Sequence, residues 1–222
     1  MLLTLNVGNA PSTTAALVPA AQAGLRFQFE EKWGPALRQL FVARRASTGF
    51  SIGVCPVKDE DSGVRLAALL GFCASQLAQG KVLIVEANFE RPCLAELLDV
   101  PTAPGLRDML LPVPTNRLDC IYATSYPNLY VIPAGGCGGE ARPEDLEARF
   151  RWMHDMVYPH FRSVIISYPA AHEAQGMEEI YSIPDSMALS VKPNTCRARA
   201  VRKAADSLKK AGAHVVGAIL SD

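Results

Sequence analysis

Three stretches of the chain carry polar residues of the kinds that bind phosphate and a divalent metal ion. Residues 58–65 follow an apolar segment and open an Ala- and Leu-rich one, where a phosphate-binding loop would carry Gly-x-x-x-x-Gly-Lys-Ser/Thr. The second stretch contains Glu86, Asn88 and Arg91, and the third ends at Ser167. In such sites backbone N–H groups and a lysine hold the phosphates, and hydroxyl and carboxylate oxygens hold the metal ion. These stretches are therefore the candidates for a nucleotide site.

The first stretch departs from a working phosphate loop in both its glycines and its charge. Its one glycine, Gly63, is followed by Val64 instead of lysine. Asp59, Glu60 and Asp61 would face the phosphates, and each carboxylate at about 4 Å would repel a phosphate charge by about 4 kcal/mol at an effective dielectric near 20. We therefore interpret these acids as the solvated N-terminus of a helix, where the helix dipole favours negative charge.

Alternating apolar segments predict the elements that position these stretches. Strand patterns, several of them continuously apolar, cover residues 50–55, 81–87, 120–124, 129–135, 163–169, 187–192 and 214–220. Helix patterns cover residues 63–79, 93–99, 143–158 and 195–211, and a further helix is predicted at about residues 30–45. This alternation predicts an α/β fold with a doubly wound, mainly parallel sheet of about seven strands. Ligands of such sheets bind at the carboxyl ends of the strands, where the three polar stretches lie.

The second and third stretches resemble the bacterial tyrosine kinases of capsule and exopolysaccharide synthesis (BY-kinases), which are relatives of the MinD and ParA ATPases. That family has Asp-Ala-Asp-x-Arg-x-Pro after a strand, then Pro-Gly-Leu-x-Asp-x-Leu, and later an apolar strand that ends in Asp-Thr-Pro-Pro. The matching residues are Ala87, Arg91, Pro92, Leu94, Leu97, Pro104, Gly105, Leu106, Asp108, Leu110, Phe161, Val164, Ile165, Ile166 and Pro169. The resemblance covers about residues 30–222 and implies a P-loop NTPase-like fold.

The resemblance also implies where a nucleotide would bind, and it indicates that this site is degenerate. The loop lysine and its Ser/Thr are missing, Asn88 replaces the second acid of the second motif, and Ser167 replaces the aspartate of the third. The tyrosines are scattered, whereas family kinases carry a C-terminal tyrosine cluster. We therefore expect no catalytic residues and no cofactor, and a vestigial nucleotide site formed by Lys58, Glu60, Ser62, Arg65, Glu86, Asn88, Arg91 and Ser167.

Two alternative functions remain open at this level. The first is an atypical ATPase or autophosphorylating tyrosine kinase, in which Lys58 or Arg65 binds the phosphates of Mg-ATP and Glu86 binds the magnesium ion. The second is a MinD- or ParA-like positioning protein. The leading hypothesis is a non-catalytic adaptor or regulator of polysaccharide synthesis and export.

Partner binding is predicted from a basic segment at residues 192–211. It is typical either of a solvated helix face or of a docking surface for anionic lipid headgroups or an acidic partner. The resemblance implies a membrane polysaccharide co-polymerase (chain-length regulator), or its cytosolic tail, as the partner. A homo-oligomer is also considered, although the family's Glu-x-x-Arg-x-x-Arg motif is not intact. The docking candidates are Arg199, Arg202, Lys203 and Lys210, with Trp33 and Phe41 on the first predicted helix.

The composition limits the remaining classes of function and of binding site. The 222-residue chain has a formal net charge of zero, which does not favour a nucleic-acid partner. Its six cysteines include no Cys-x-x-Cys pair and its histidines have no metal-ligand spacing, so we expect reduced thiols and no metal site. Residues 1–25 are predicted to be a flexible tail and residues 26–222 a single domain. We expect a cytoplasmic protein that is peripheral at the inner membrane.

Overall fold

Seven strands form one sheet in the computed structural model, which describes residues 49–58, 63–77, 80–111, 117–136, 146–170, 177–192 and 194–220. The strands are β1 (Phe50–Pro56), β2 (Val82–Glu86), β3 (Tyr122–Ala123), β4 (Leu129–Ile132), β5 (Ser163–Ser167), β6 (Ser186–Val191) and β7 (Val215–Leu220). Their order is β3-β4-β2-β5-β1-β6-β7. Only the pairing of β3 with β4 is antiparallel, so the predicted α/β class and mainly parallel sheet are confirmed.

Five α-helices of the described residues cover the two faces of this sheet: α1 (Gly63–Leu77), α2 (Leu94–Leu98), α3 (Leu106–Leu110), α4 (Leu146–Val157) and α5 (Ala198–Lys210). The core accordingly divides into two clusters, because the central strands are buried on both faces. One cluster packs α1 and α2 on one face of the sheet, and the other packs α3, α4 and α5 on the opposite face. Short 3-10 helices lie at Arg117–Cys120, Tyr158–His160 and Glu178–Ser182.

The elements differ from the predicted ones mainly in length. The strand predicted at residues 120–124 is only Tyr122–Ala123, because Cys120 belongs to a 3-10 helix and the Thr124 hydroxyl donates to the Leu129 carbonyl within the following turn. The short helix α3 was not predicted. It begins after Pro104 and Gly105, a pair that is typical of turns.

Candidate functional site

The three polar stretches meet at the carboxyl edge of the sheet, as predicted. Glu86 ends β2 and Ser167 ends β5, and these two residues are paired in register on neighbouring strands. Ser167 also pairs with Val54 of β1 on its other side. Lys58 lies two residues after the end of β1, so the three central strands bring the first, second and third stretches together.

The Glu86 carboxylate is fully buried and is bonded to the backbone of two other segments. Its Oε1 accepts hydrogen bonds from the N–H groups of Cys93 at 2.7 Å and Leu94 at 3.0 Å, where α2 begins. Its Oε2 accepts a longer bond of 3.4 Å from the Ala134 N–H, in the segment after β4. Glu86 therefore ties the start of α2 and the end of β4 to the end of β2.

Burial raises the pKa of Glu86 above the ordinary value for glutamate, because desolvation penalises the charged form. Hydrogen bonds from Cys93, Leu94 and Ala134 act in the opposite direction, since they stabilise the carboxylate. Desolvation is the larger effect, so the folded state holds the Glu86 proton to a higher pH than the unfolded chain does.

This shift predicts a pH dependence of stability that a Glu86→Gln variant should lack. Between the unfolded pKa, about 4.3, and the raised folded pKa, the folded state binds more protons than the unfolded state. The free energy of unfolding of the parent, relative to Glu86→Gln, should therefore fall as the pH rises through this window. Urea unfolding of both proteins across the window measures the difference, and a constant or rising difference would contradict the burial effect.

Lys58 is bonded to the loop that precedes α5. Its Nζ donates a hydrogen bond of 2.6 Å to the carbonyl oxygen of Thr195. Arg65 lies in the first turn of α1 with an exposed side chain. Desolvation and the Glu86 charge raise the pKa of the Cys93 thiol, whereas the Arg65 charge lowers it. Because Arg65 acts on Cys93, it lies on the side of the second stretch. Lys58 and Arg65 thus lie near different loops.

Asn88, at the position of the family's second acid, closes a local turn. Its Oδ1 accepts a hydrogen bond of 3.2 Å from the Arg91 N–H, three residues further along the chain. This is a common role of asparagine in turns, since its short side chain reaches nearby backbone donors. The Arg91 side chain is exposed, so this segment presents a cation at the surface of the carboxyl edge.

Ser167, at the position of the family's third-motif aspartate, has a fully buried hydroxyl group. Among the described residues, no group accepts from or donates to its Oγ. The sheet therefore holds Ser167 through its backbone, and the hydroxyl makes no contribution that offsets its own desolvation.

We predict that Ser167→Ala and Asn88→Ala each change the free energy of unfolding by no more than about 1 kcal/mol. Removing the Ser167 hydroxyl abolishes an unsatisfied buried group, and removing the Asn88 amide breaks one exposed hydrogen bond. Urea unfolding checks both variants. A loss several times larger for Ser167→Ala would show that its hydroxyl belongs to a buried polar network.

Several predicted site and docking residues lie outside the described residues. They are Glu60 and Ser62 of the first stretch, and Trp33 and Phe41 of the first predicted helix. The remaining docking candidates lie on α5, where Arg199, Arg202, Lys203 and Lys210 are all exposed.

Asp108 organises the edge of the site, a role that the sequence analysis did not assign. Its Oδ2 accepts hydrogen bonds from the N–H groups of Gly105 at 2.7 Å and Gly136 at 3.2 Å. Arg107 reaches the same segment through a bond of 3.4 Å from Nη1 to the Gly136 carbonyl, and its guanidinium lies 5.2 Å from the centre of the Phe89 ring. The three-residue spacing from Gly105 to Asp108, typical of a helix cap, is the sequence feature that indicates this role.

Within the described ranges, no three His, Cys, Asp or Glu side chains come close enough to hold a metal ion. In the same part of the chain, no helix has both the length and the apolar character needed to cross a bilayer.

The sequence of this chain is similar to that of a curated relative. A Staphylococcus aureus protein that is named as the tyrosine-protein kinase CapB is 24% identical to this chain over 141 residues. The alignment spans 64% of this chain and 61% of that protein, so the chain matches about three fifths of the relative's own length. No protein-family model matches the chain.

Solved structures give a broader fold relationship. The chimerical protein CapA2B2 has a TM-score of 0.73 at 20% identity, over 87% of this chain and 88% of that one. The kinase domain of the Escherichia coli tyrosine kinase ETK also scores 0.73, at 20% identity, over 85% of this chain and 74% of its own. MinD of Pyrococcus horikoshii, complexed with Mg-ADP, has a TM-score of 0.65 at 23% identity, over 78% of this chain and 70% of that one. At these identities the structures show the fold alone. The chain thus shares the P-loop-type fold of the bacterial tyrosine kinase domains and of the MinD and ParA ATPases, and its sequence resembles that of a bacterial tyrosine kinase, as its second and third stretches indicated.

Proposed function

We propose that this protein is a non-catalytic, kinase-like adaptor or regulator of bacterial exopolysaccharide or capsule synthesis and export. It acts in the cytoplasm, at the inner membrane, by binding a membrane polysaccharide co-polymerase. The partner and the process come from the resemblance to BY-kinases, which dock on the cytosolic side of such co-polymerases. The non-catalytic character comes from the chemistry of the carboxyl edge.

The bonding of Glu86 is the observation that carries the proposal. Magnesium is held by oxygen lone pairs at short distances, in a geometry that tolerates little deviation. Glu86 Oε1 already accepts two backbone N–H groups, Oε2 accepts a third, and the carboxylate is fully buried. A metal ion on Oε1 would displace the bonds that hold α2, and one on Oε2 would have to reach a fully buried atom beside the Ala134 N–H. Glu86 is therefore better suited to holding the fold together than to catalysis.

The cations of the edge support the same conclusion. Phosphoryl transfer depends on positioning the phosphates and neutralising their charge around a magnesium ion. The Lys58 ammonium uses one of its three N–H donors on the Thr195 carbonyl, which holds this side chain at the loop before α5. The sequence also places Asp59, Glu60 and Asp61 directly after Lys58, and their charges repel an anionic ligand.

We predict that the protein does not bind Mg-ATP or Mg-ADP at physiological concentrations. Calorimetry with millimolar nucleotide should give no saturable heat, and the melting temperature should not change. Binding with a Kd of about 100 μM would instead add about 1.4 kcal/mol at 1 mM nucleotide, which corresponds to a shift of roughly 3–6 °C. MinD of Pyrococcus horikoshii, whose structure contains Mg-ADP, serves as the positive control.

The same protein samples also test the alternative function, an atypical kinase that phosphorylates itself. After incubation with Mg-ATP, intact-mass measurement should detect no species heavier by about 80 Da, the mass of one phosphoryl group. A phosphorylated species that disappears in Glu86→Gln would contradict the non-catalytic proposal and support a rearranged active site. Glu90→Gln, an exposed glutamate of the same loop, controls for non-specific effects of the substitution.

A further inference from the structure

Helix α5 carries most of its positive charge on the side that faces away from the sheet. Ala204 and Leu208 are buried against the core, and Val201 packs beside them. The exposed cations are Arg197, Arg199, Arg202, Lys203, Lys209 and Lys210, whereas Asp206 is the one acid of this segment. Within the described part of the chain, no carboxylate lies within ion-pair distance of these cations. In a chain of zero net charge, this is a strong local separation of charge.

The strand beside α5 exposes apolar side chains. β7 has the uncharged sequence Val-Val-Gly-Ala-Ile-Leu and forms one edge of the sheet. Val216 is 50% exposed and Leu220 is 59% exposed. A side chain added at Gly217 would meet no atom within 4 Å, so the space beside the strand is open. The opposite edge strand, β3, has only two residues, which is a common protection of sheet edges that β7 lacks.

The register of the sheet places Leu220 on the side of α5, whereas Val216 lies at a register shift between β6 and β7. Leu220 pairs with Val191 of β6, and Val191 packs in the core cluster that contains Ala204 and Leu208. Leu220 therefore lies on the α5 side of the sheet. Because α5 connects the end of β6 to the start of β7, its first turn lies at the Leu220 end of the strand and its last turn at the Val216 end. We call α5 and β7 together the cationic-apolar surface.

We propose that the cationic-apolar surface binds the surface of an anionic lipid membrane directly. Cations attract anionic headgroups, and adjoining exposed aliphatic side chains gain from burial at the level where headgroups meet acyl chains. A nucleic-acid backbone, or a peptide with only acidic side chains, would use the cations and leave Val216 and Leu220 in water. The free N–H and C=O groups of an edge strand cannot enter the hydrocarbon, so β7 would lie at the headgroup level.

Vesicle co-sedimentation of the full chain tests this proposal. We expect binding to vesicles of phosphatidylcholine with about 30% phosphatidylglycerol, little binding to pure phosphatidylcholine, and strong weakening between roughly 0.05 and 0.5 M salt. Each cation near the surface contributes about fivefold to partitioning, so reversing Arg202 and Lys203 to glutamate should weaken binding at least about 25-fold. Val216→Ser with Leu220→Ser should weaken it roughly three- to tenfold.

Matched variants test whether the loss of vesicle binding is specific to the cationic-apolar surface. Reversing the exposed Arg91 and Arg151 changes the net charge equally and also breaks the exposed Arg151–Glu147 ion pair, but it should alter vesicle binding by less than about threefold. The neutral pair Arg202→Gln and Lys203→Gln, checked by circular dichroism, supplies the test if the reversed variant does not fold. An equal loss in the Arg91 and Arg151 pair, or a parent that never binds anionic vesicles, would overturn the proposal.

Duplex DNA provides the remaining comparison. If the parent binds DNA with the same dependence on Arg202 and Lys203, and the two serine substitutions leave vesicle binding unchanged, the surface is a general polyanion site and the lipid proposal is wrong. If the serine substitutions weaken only vesicle binding, the aliphatic residues contact lipid as proposed. No nucleotide enters these measurements, so their outcome is independent of the Mg-ATP test.

Discussion

Glu86→Ala is expected to lower the free energy of unfolding by about 3 kcal/mol or more. The substitution leaves the buried N–H groups of Leu94 and Ala134 without their acceptor, and also the N–H of Cys93, which is only partly buried and can bond to water. Each unsatisfied buried donor costs about 1–3 kcal/mol, and the missing side chain adds a cavity. The substitution also removes the free-energy cost of burying a charged carboxylate, which offsets part of this loss of stability. Urea or thermal unfolding measures the change.

The neighbouring Glu90 supplies the matched control for this variant. Glu90 lies four residues further along the same segment and its side chain is exposed, so Glu90→Ala should change stability by no more than about 0.5 kcal/mol. A Glu86→Ala protein as stable as the parent would mean that the carboxylate does not hold α2 and the end of β4 in place. Its oxygens would then be available to a ligand, and the case for a non-catalytic protein would weaken.

The strands and the meeting of the three polar stretches were predictable because they depend on local patterns and on the geometry of parallel sheets. β2 and β5 are continuously apolar apart from their ends, and each is buried on both faces. A polar residue at the end of such a strand lies at the carboxyl edge whatever the rest of the chain does. This is why Glu86 and Ser167 were identified together.

The structural roles of Glu86 and Lys58 were less predictable, because each bonds to a backbone group that is distant in sequence. Glu86 bonds to Ala134, and Lys58 bonds to Thr195, 137 residues away. Sequence shows that a lysine or a carboxylate is present, but not which backbone group the fold brings beside it. Lys58 and Glu86 were therefore named as possible nucleotide ligands under the alternative function, whereas the structure shows the internal bonds that each of them makes.

Packing between two loops explains why the short helix α3 and the close backbone contact at Gly105 were not predicted. Gly105 lies where the segment before α3 crosses the segment after β4. The N–H groups of Leu106 and Arg107 donate to the carbonyls of Pro133 and Ala134 at 2.7 and 2.9 Å. A pattern of apolar residues shows neither this crossing nor the distance at which the two backbones approach.

This crossing predicts that Gly105→Ala lowers the free energy of unfolding by about 3 kcal/mol. A Cβ atom at residue 105 would lie 2.4 Å from both the Gly135 nitrogen and the Pro133 oxygen, which are backbone atoms that cannot rotate away. The backbone of Gly105 is extended (φ −147°), so the expected loss comes from the steric conflict and not from an unfavourable dihedral angle. Moving the two segments apart would break the bonds from Leu106 and Arg107.

Gly217→Ala is the matched control, because the same methyl group added in β7 meets no atom within 4 Å. Alanine also restricts the unfolded chain more than glycine does, so this variant should be as stable as the parent or up to about 1 kcal/mol more stable. Urea unfolding of both variants, with circular dichroism to confirm the folded state, measures the contrast. If Gly105→Ala lost less than about 1 kcal/mol, the segments around α3 and after β4 would have to move apart readily, and the carboxyl edge would be an adaptable surface instead of a fixed one.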